Sequence, residues 1–513
     1  MSKILPGDPI NEYFATEHIT TAIGGRTARG GAITIVSHGL KFMLSIVATA
    51  VLARLLTPQD YGLIGMVAVI TSFVSMFKDL GLSLATVQRP EINYDQISTL
   101  FWVNVTLSAG ITGLMMLLAP GVARFYGEPR LTLITVFTSV GFLFGGLAVQ
   151  HEALLKRQMR FYALSAVAFL SMMIGYAVGI LAAWYGARYW ALVASQLALL
   201  ASNAMGVWIV CRWRPGRPRP NAGVRSMLSF GGNITGYALI NYFSKNSDNL
   251  LIGKLFGPQP LGLYGKSAQL LSLPTDQINE PLSTVAIPAL SRLADSPNRY
   301  RQAYFRIMEK VIMLTMPAVV LMIATSDWLV QIVLGPQWHE ASRIFVFMGI
   351  AGLFQPVAST GGWLLVTQGR GRDMLRWSII NAPISILSII LGLHWGVVGV
   401  AAGFSFGRIL IANPLLFWFV GRSGPVRTGD FYRLLGPFTL AAASSLIACI
   451  IFRSSFAISN PIVGIGICGV IVAVTTVAIL ALIPGGRRAL LDVKYSISLL
   501  RRGDPKVAAA LTE

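Results

Sequence analysis

Acidic residues are scarce in this sequence: 21 Asp and Glu stand against 41 Lys and Arg, and charged residues of either sign fill only 12% of 513 positions. With 54% hydrophobic residues and a mean hydropathy of +0.65, the chain carries more apolar surface than a water-soluble core of this size requires. Cysteine is scarcer still. Cys211, Cys449 and Cys468 are odd in number, lie in or beside apolar runs and lack metal-ligand spacing, so neither a disulfide framework nor a zinc site is expected. The five histidines, His18, His38, His151, His339 and His394, all precede Gly403-Phe404-Ser405-Phe406-Gly407. That run matches a serine-nucleophile pattern but has no later histidine to serve as its base. Gly464-Ile465-Gly466-Ile467-Cys468-Gly469 matches a dinucleotide fingerprint, yet it sits inside an apolar run with no strand before it. Gly265-Lys266-Ser267 resembles the end of a P-loop, but Pro260 stands where the earlier glycine is required. No catalytic set, cofactor or metal is expected, and the chain is not read as an enzyme.

What the sequence does contain is a series of long apolar runs. A membrane-spanning helix needs about 20 mostly apolar residues, and fourteen such runs fit between residues 30 and 483. The expected fold is an all-α polytopic membrane protein. Within it one stretch occurs twice: Arg54 to Met66 and Lys254 to Lys266 share Leu, Pro, Gln, Gly, Leu and Gly at Leu55, Pro58, Gln59, Gly62, Leu63 and Gly65, offset by 200 residues. Each copy closes one apolar run and opens the next, so it is a corner between two helices. Six spans separate the copies, an even number, which gives two halves of the same orientation. The expected organisation is a polar segment 1–29, a first six-helix lobe 30–212, a basic linker 213–225, a second six-helix lobe 226–422, two extra helices in 430–484 and a basic tail 485–513.

The net charge of +20 raises the possibility of nucleic acid, but the distribution of the cations answers otherwise. With the amino terminus inside, seven cations fall outside, namely Arg54, Arg124, Arg130, Arg188, Lys254, Lys266 and Arg453, while most of the rest gather in inner segments. That asymmetry is the positive-inside pattern of a membrane protein. The run Arg212-Trp213-Arg214-Pro215-Gly216-Arg217-Pro218-Arg219-Pro220 is accordingly an orientation signal and lobe linker, with no nucleic-acid partner. Nothing before Ala32 has the form of a cleaved signal. In the tail, Leu490, Val493, Ile497 and Leu500 form one stripe among cations, which suits a helix lying on the inner leaflet.

Charge inside the spans marks the candidate site, because an ionisable residue at bilayer depth costs roughly 2.5 to 3.5 kcal/mol on insertion scales and is a functional hypothesis by default. Lys41 lies 13 residues before Arg54, about 20 Å along the helix from its outer end. Lys245 lies one turn beyond the position that corresponds to Lys41, and Asp248 three residues on could neutralise it. In the eighth span Pro274 and Pro281 interrupt backbone hydrogen bonding around Asp276 and Glu280, which share a face and suggest either ion coupling or a kink with acids turned inward. Arg343 opens the tenth span near the outer face, where it either snorkels or meets an anion. Glycines four apart, Gly175 with Gly179 and Gly399 with Gly403 and Gly407, are read as close helix contacts.

Several runs are familiar in wording as well as composition. Ala53 to Leu63, Gly81-Leu82-Ser83-Leu84-Ala85-Thr86-Val87-Gln88-Arg89, Leu100-Phe101-Trp102-Val103-Asn104 and Ala153 to Phe161 resemble the polysaccharide transport family of the MOP flippase superfamily. Ser244 to Gly253 and Pro288-Ala289-Leu290-Ser291-Arg292-Leu293 extend the resemblance, which covers residues 30 to about 420. It implies a fourteen-helix flippase in the bacterial inner membrane, with both termini cytoplasmic. Its cargo would be an undecaprenyl-diphosphate-linked oligosaccharide, carried by alternating access between two lobes around a cationic cavity, for exopolysaccharide or lipopolysaccharide synthesis. Lys41, Lys245 and Arg343 would meet the diphosphate, while Asp248, Asp276 and Glu280 would be the candidates for ion coupling. The implied partners are the lipid-linked oligosaccharide, membrane lipids, and a polysaccharide polymerase with its export machinery. A MATE-like drug or cation antiporter, a peptidoglycan-precursor flippase and a membrane polymerase are the alternatives; the last usually needs a large outer loop, and none is present.

Overall fold

The computed structural model describes the backbone of residues 23–77, 83, 86–87, 92–219 and 242–492, and side chains over the same ranges except 23–36, 274–281 and 284. Among the described residues every regular element is a helix. In chain order these are α1 (Ile23–Leu55), α2 (Pro58–Ser75), α3 (Tyr94–Tyr126), α4 (Leu131–Arg157), α5 (Phe161–Trp184) and α6 (Tyr189–Cys211), then α7 (242–256), α8 (Pro258–Arg292), α9 (Pro297–Ala324) and the short α10 (Ser326–Val333). They continue as α11 (Ala341–Gly352), α12 (Gln355–Thr367), α13 (Gly371–Gly392), α14 (Gly396–Gly407), α15 (Asn413–Gly421), α16 (Thr428–Ser455) and α17 (Pro461–Leu482).

Length and composition alone qualify α1, α3, α4, α5, α6, α9, α16 and α17 as spans, together with the stretch Gly371–Gly421. That stretch holds 51 residues, about 76 Å of helix, more than twice a hydrocarbon core. It folds back at Leu393–Trp395, and a Cβ at Gly392 would lie 2.2 Å from the carbonyl oxygen of Gly399, so it forms a tight hairpin of two helices. The expected single tenth span is a bent pair, with α11 and α12 meeting at 42°. The expected break in the eighth span is absent: α8 stays helical from Pro258 through Pro274 and Pro281 to Arg292. A count of fourteen crossings needs α2, α7 and α8 to cross as well, and the described residues of these are helical.

The chain divides into two compact units, Met1–Gly262 and Leu263–Glu513. In the first, small residues set the helix spacing. Gly175 and Gly179 of α5 lie against Leu199 and Ser195 of α6, and Gly146 of α4 lies against Ser108 and Asn104 of α3. An apolar core at the N-terminal end of α3 joins Ile97, Phe101, Leu154, Leu155, Val207 and Trp213. At the opposite end the αL residue Gly127 closes α3, and Arg130 bonds Glu128 at 2.7 Å. That hydrogen bond holds the Glu128 carboxyl below its usual range against the opposing effect of burial.

In the second unit, Tyr300 and Tyr304 of α9 are fully buried and share hydrogen bonds with Thr367 and Thr360 of α12, at 2.6 and 3.0 Å. The last two helices are part of this core. Phe431 of α16 stacks on Phe417 of α15, and Cys449 and Cys468 pack with Val320 of α9.

Candidate functional site

The repeated corners are the best-defined feature of the first unit. Thr57 caps α2: its hydroxyl accepts from the Asp60 backbone N–H at 3.3 Å while the Asp60 carboxylate accepts from the Thr57 N–H at 2.9 Å. Pro58 follows as the first helical residue, where its missing N–H is not needed. The second copy replaces the capping pair with Gly257, in the left-handed region at φ +87°, and Pro260. The two copies touch. A Cβ at Gly62 would lie 1.6 Å from the carbonyl oxygen of Pro258, and one at Gly262 would lie 1.8 Å from that of Pro58. The crossing is reciprocal and backbone to backbone, which explains why both halves need glycine there.

Below this crossing, α2 and α7 enclose a cavity of about 100 Å³ lined by Val69, Ile70, Phe73, Tyr242, Phe243, Asn246, Ser247 and Leu250. The Tyr242 hydroxyl donates to the Val69 carbonyl and ties the two helices together, and the Phe73 ring packs at a tilt of about 50° against both Tyr242 and Phe243. Most of the lining is apolar, while the Ser247 hydroxyl is buried without a hydrogen-bond partner.

Lys41 lies in α1, 14 residues from Leu55 and so about 21 Å from the C-terminal end of the helix, half-buried and with no ion pair among the described residues. One turn on, Ser45 accepts a long hydrogen bond from Tyr176 of α5, 3.5 Å, which places polar groups beside Lys41 on the same face. Lys245 is exposed on α7, about 16 Å from residue 256. The pairing allowed by its spacing to Asp248 is not formed among the described residues; Asp248 instead accepts the Asn249 backbone N–H at 2.7 Å. Arg343 is exposed on the first turn of α11. The side chains of Asp276 and Glu280 lie outside the described residues, as do segment 1–22, residues 220–225 of the linker and the tail beyond 492.

Two cations were missed or misplaced by sequence reasoning. Lys266, counted among the outer cations, lies eight residues inside α8, is only 7% exposed and donates to Gln269 at 2.9 Å. Its counterpart in the first copy is Met66, fully buried, so the repeat itself signalled an interior position. Arg408 lies between α14 and α15 with its guanidinium 5.2 Å from the centre of the Phe404 ring. The basic linker is also more than a tether. Residues 213–219 are stitched to the N-terminal end of α3: Tyr94 bonds the Arg214 carbonyl at 2.9 Å, Trp102 bonds that of Gly216 at 2.8 Å, and Arg219 pairs with Asp95 at 2.7 Å. Trp213 is buried beneath the strap, its ring packed edge-on against Phe101.

The enzyme-like patterns resolve into packing. Gly403 and Gly407 sit against Ser388 of α13, and the Ser405 hydroxyl donates to the Phe347 carbonyl at 2.6 Å. Gly464, the first glycine of the dinucleotide-like pattern, lies against the Trp328 ring.

A family model described as polysaccharide biosynthesis protein matches residues 51–343. Among curated proteins, the teichuronic acid biosynthesis protein TuaB of Bacillus subtilis is 25% identical over 425 residues, covering 82% of this chain and 87% of that protein. The lipopolysaccharide biosynthesis protein WzxC of Escherichia coli is 23% identical over 402 residues, covering 77% and 80%. Among solved structures, the lipid II flippase MurJ in an inward closed conformation aligns with TM-score 0.70 at 12% identity, covering 87% of this chain and 97% of that one. An inward-facing MATE multidrug resistance transporter of the MOP superfamily aligns at 0.58 and 13%, covering 74% and 93%. These two likenesses show that the chain shares the fold of those structures.

Proposed function

The chain belongs to the polysaccharide biosynthesis protein family, and from that premise we propose that it is a flippase for an undecaprenyl-diphosphate-linked oligosaccharide repeat unit. It acts in the bacterial inner membrane, with both termini in the cytoplasm, and carries the unit to the periplasmic leaflet by alternating access. It is a carrier and not an enzyme, and it hands its cargo to a polysaccharide polymerase and export machinery. The relatives' names, teichuronic acid and lipopolysaccharide biosynthesis, support a lipid-linked saccharide as cargo.

The observation that carries this reading is the pair of ammonium groups that have no ion pair among the described residues of the first unit, Lys41 on α1 about 21 Å from Leu55 and Lys245 on α7 about 16 Å from residue 256. A lysine left without a carboxylate at that depth is costly unless it meets an anion or water. A diphosphate supplies concentrated negative charge, and lysine is a strong point-charge partner for phosphate. The saccharide needs a wet path, whereas the prenyl chain can stay in lipid.

Deletion of the gene is expected to leave undecaprenyl-diphosphate oligosaccharide accumulated on the inner side. Lys41→Ala and Lys245→Ala, each present at wild-type membrane level, are expected to rescue it at least about tenfold less well, the loss of one charge-assisted hydrogen bond. If no lipid-linked saccharide accumulates and only sensitivity to cationic drugs changes, the protein is an antiporter.

A further inference from the structure

The second unit holds a cation that the reading above does not use. Arg408 lies 12 residues from Gly396, about 18 Å along the helix and near the middle of a bilayer. It begins a π-helical turn, Arg408–Ala412, in which the Asn413 backbone N–H reaches the Arg408 carbonyl. Such turns are rare and concentrate at functional positions. Just before it, a Cβ at Gly407 would lie 2.0 Å from the Ser388 hydroxyl, so α13 pins the backbone and fixes the direction in which Arg408 projects.

The Phe404 ring covers one face of the guanidinium, 5.2 Å from the ring centre. No carboxylate pairs with it among the described residues, and its side chain is half-buried. A guanidinium cannot neutralise itself by losing a proton. An aromatic platform also leaves its in-plane N–H donors without acceptors. Those donors form a fork that matches two oxygens of a phosphate, and a flat ring behind the fork holds it in that orientation.

We propose that Arg408, with the Phe404 ring against one face of its guanidinium, is an oxyanion-binding residue of the second unit that takes a phosphate group in bidentate fashion. Resting on the flippase reading, the phosphate is that of the lipid carrier's diphosphate headgroup; a free inorganic anion would present the same oxygens. Arg408 then acts in addition to Lys41 and Lys245.

The test uses the full chain purified in detergent, with binding read from the shift in thermal unfolding midpoint at constant ionic strength. Inorganic diphosphate and undecaprenyl diphosphate are titrated separately against wild type, Arg408→Gln and Arg408→Lys. The expected result is at least tenfold weaker binding of both probes by Arg408→Gln and an intermediate loss in Arg408→Lys, which keeps the charge but not the fork. Weakening confined to inorganic diphosphate assigns the site to a free anion and overturns the headgroup assignment. Wild-type affinity for both probes in Arg408→Gln overturns the proposal, and should that variant not fold, wild-type affinity in Arg408→Lys does so. If undecaprenyl diphosphate binds the wild type and the deletion accumulates lipid-linked saccharide, such a result removes Arg408 alone. If neither holds, the flippase reading falls first.

Discussion

Lys266 separates what a single residue costs from what it does. Its ammonium is 7% exposed inside α8, and the equivalent position of the first repeat is the fully buried Met66. Burying an ammonium costs several kcal/mol before its partners are counted, and replacing a buried polar pair with a well-fitting apolar side chain is often neutral or stabilising. Lys266→Met is therefore expected to stabilise the protein by about 1 kcal/mol, raising its unfolding midpoint by roughly 2 °C in detergent. A fall instead would mean that the Gln269 bond and the remaining partners of Lys266 more than offset its desolvation. At this scale the sequence was only partly legible. Depth within an apolar run was enough to single out Lys41 and Lys245, because distance along a helix follows from residue count. It could not show that Lys245 and Asp248 form no ion pair with each other, since three-residue spacing permits a contact without requiring the rotamers that make it. Arg408 was passed over because its signal, a π-helical turn and an aromatic platform, exists only in three dimensions.

At the scale of the helix, the 200-residue repeat was legible as a corner but not as a contact. Six identities predicted two equivalent turns; only the backbone shows that the turns cross each other through Gly62 and Gly262. A methyl group at either glycine would overlap a carbonyl oxygen of the opposite corner. Main-chain atoms cannot rotate away as the end of a side chain can, so the first turns of α2 and α8 must separate. Gly62→Ala and Gly262→Ala are each expected to destabilise by about 3 kcal/mol, the upper end of overpacking effects. Gly65→Ala, whose Cβ would meet only the Leu261 side chain at 3.4 Å, is the matched control and is expected to unfold at the wild-type midpoint. Equal midpoints in all three variants would show that the crossing relaxes at no cost. Proline misled in the opposite direction: Pro274 and Pro281 suggested a broken helix, yet α8 remains helical through both. A transmembrane helix can tolerate proline because neighbouring groups satisfy the freed carbonyls.

Across the whole molecule, the apolar runs made the fold class plain, while the division of labour among helices was not. Helices α16 and α17 lie outside the repeat and read as additions to a twelve-helix design. They are nonetheless packed into the core of the second unit. Asp430, at the start of α16, takes a two-point ion pair from Arg301 of α9 and also accepts the Arg427 backbone N–H at 2.9 Å. Phe431, Leu434 and Phe438 complete the cluster around Tyr300 and Tyr304. At the other end of α16, Arg453 pairs with Asp327 at 2.6 Å and covers the Trp328 ring. Removing the two helices would strip one face of α9 and leave Arg301 and Asp327 without these partners. A chain ending after Gly424 is therefore expected to accumulate in membranes several-fold less than the full protein, the abundance effect of losing a few kcal/mol. Asp430→Asn in the full chain, which keeps the helices and removes only the ion pair, is expected to cause a smaller loss. Full accumulation of the truncated chain would show that the second unit folds without α16 and α17, and that these helices serve transport alone.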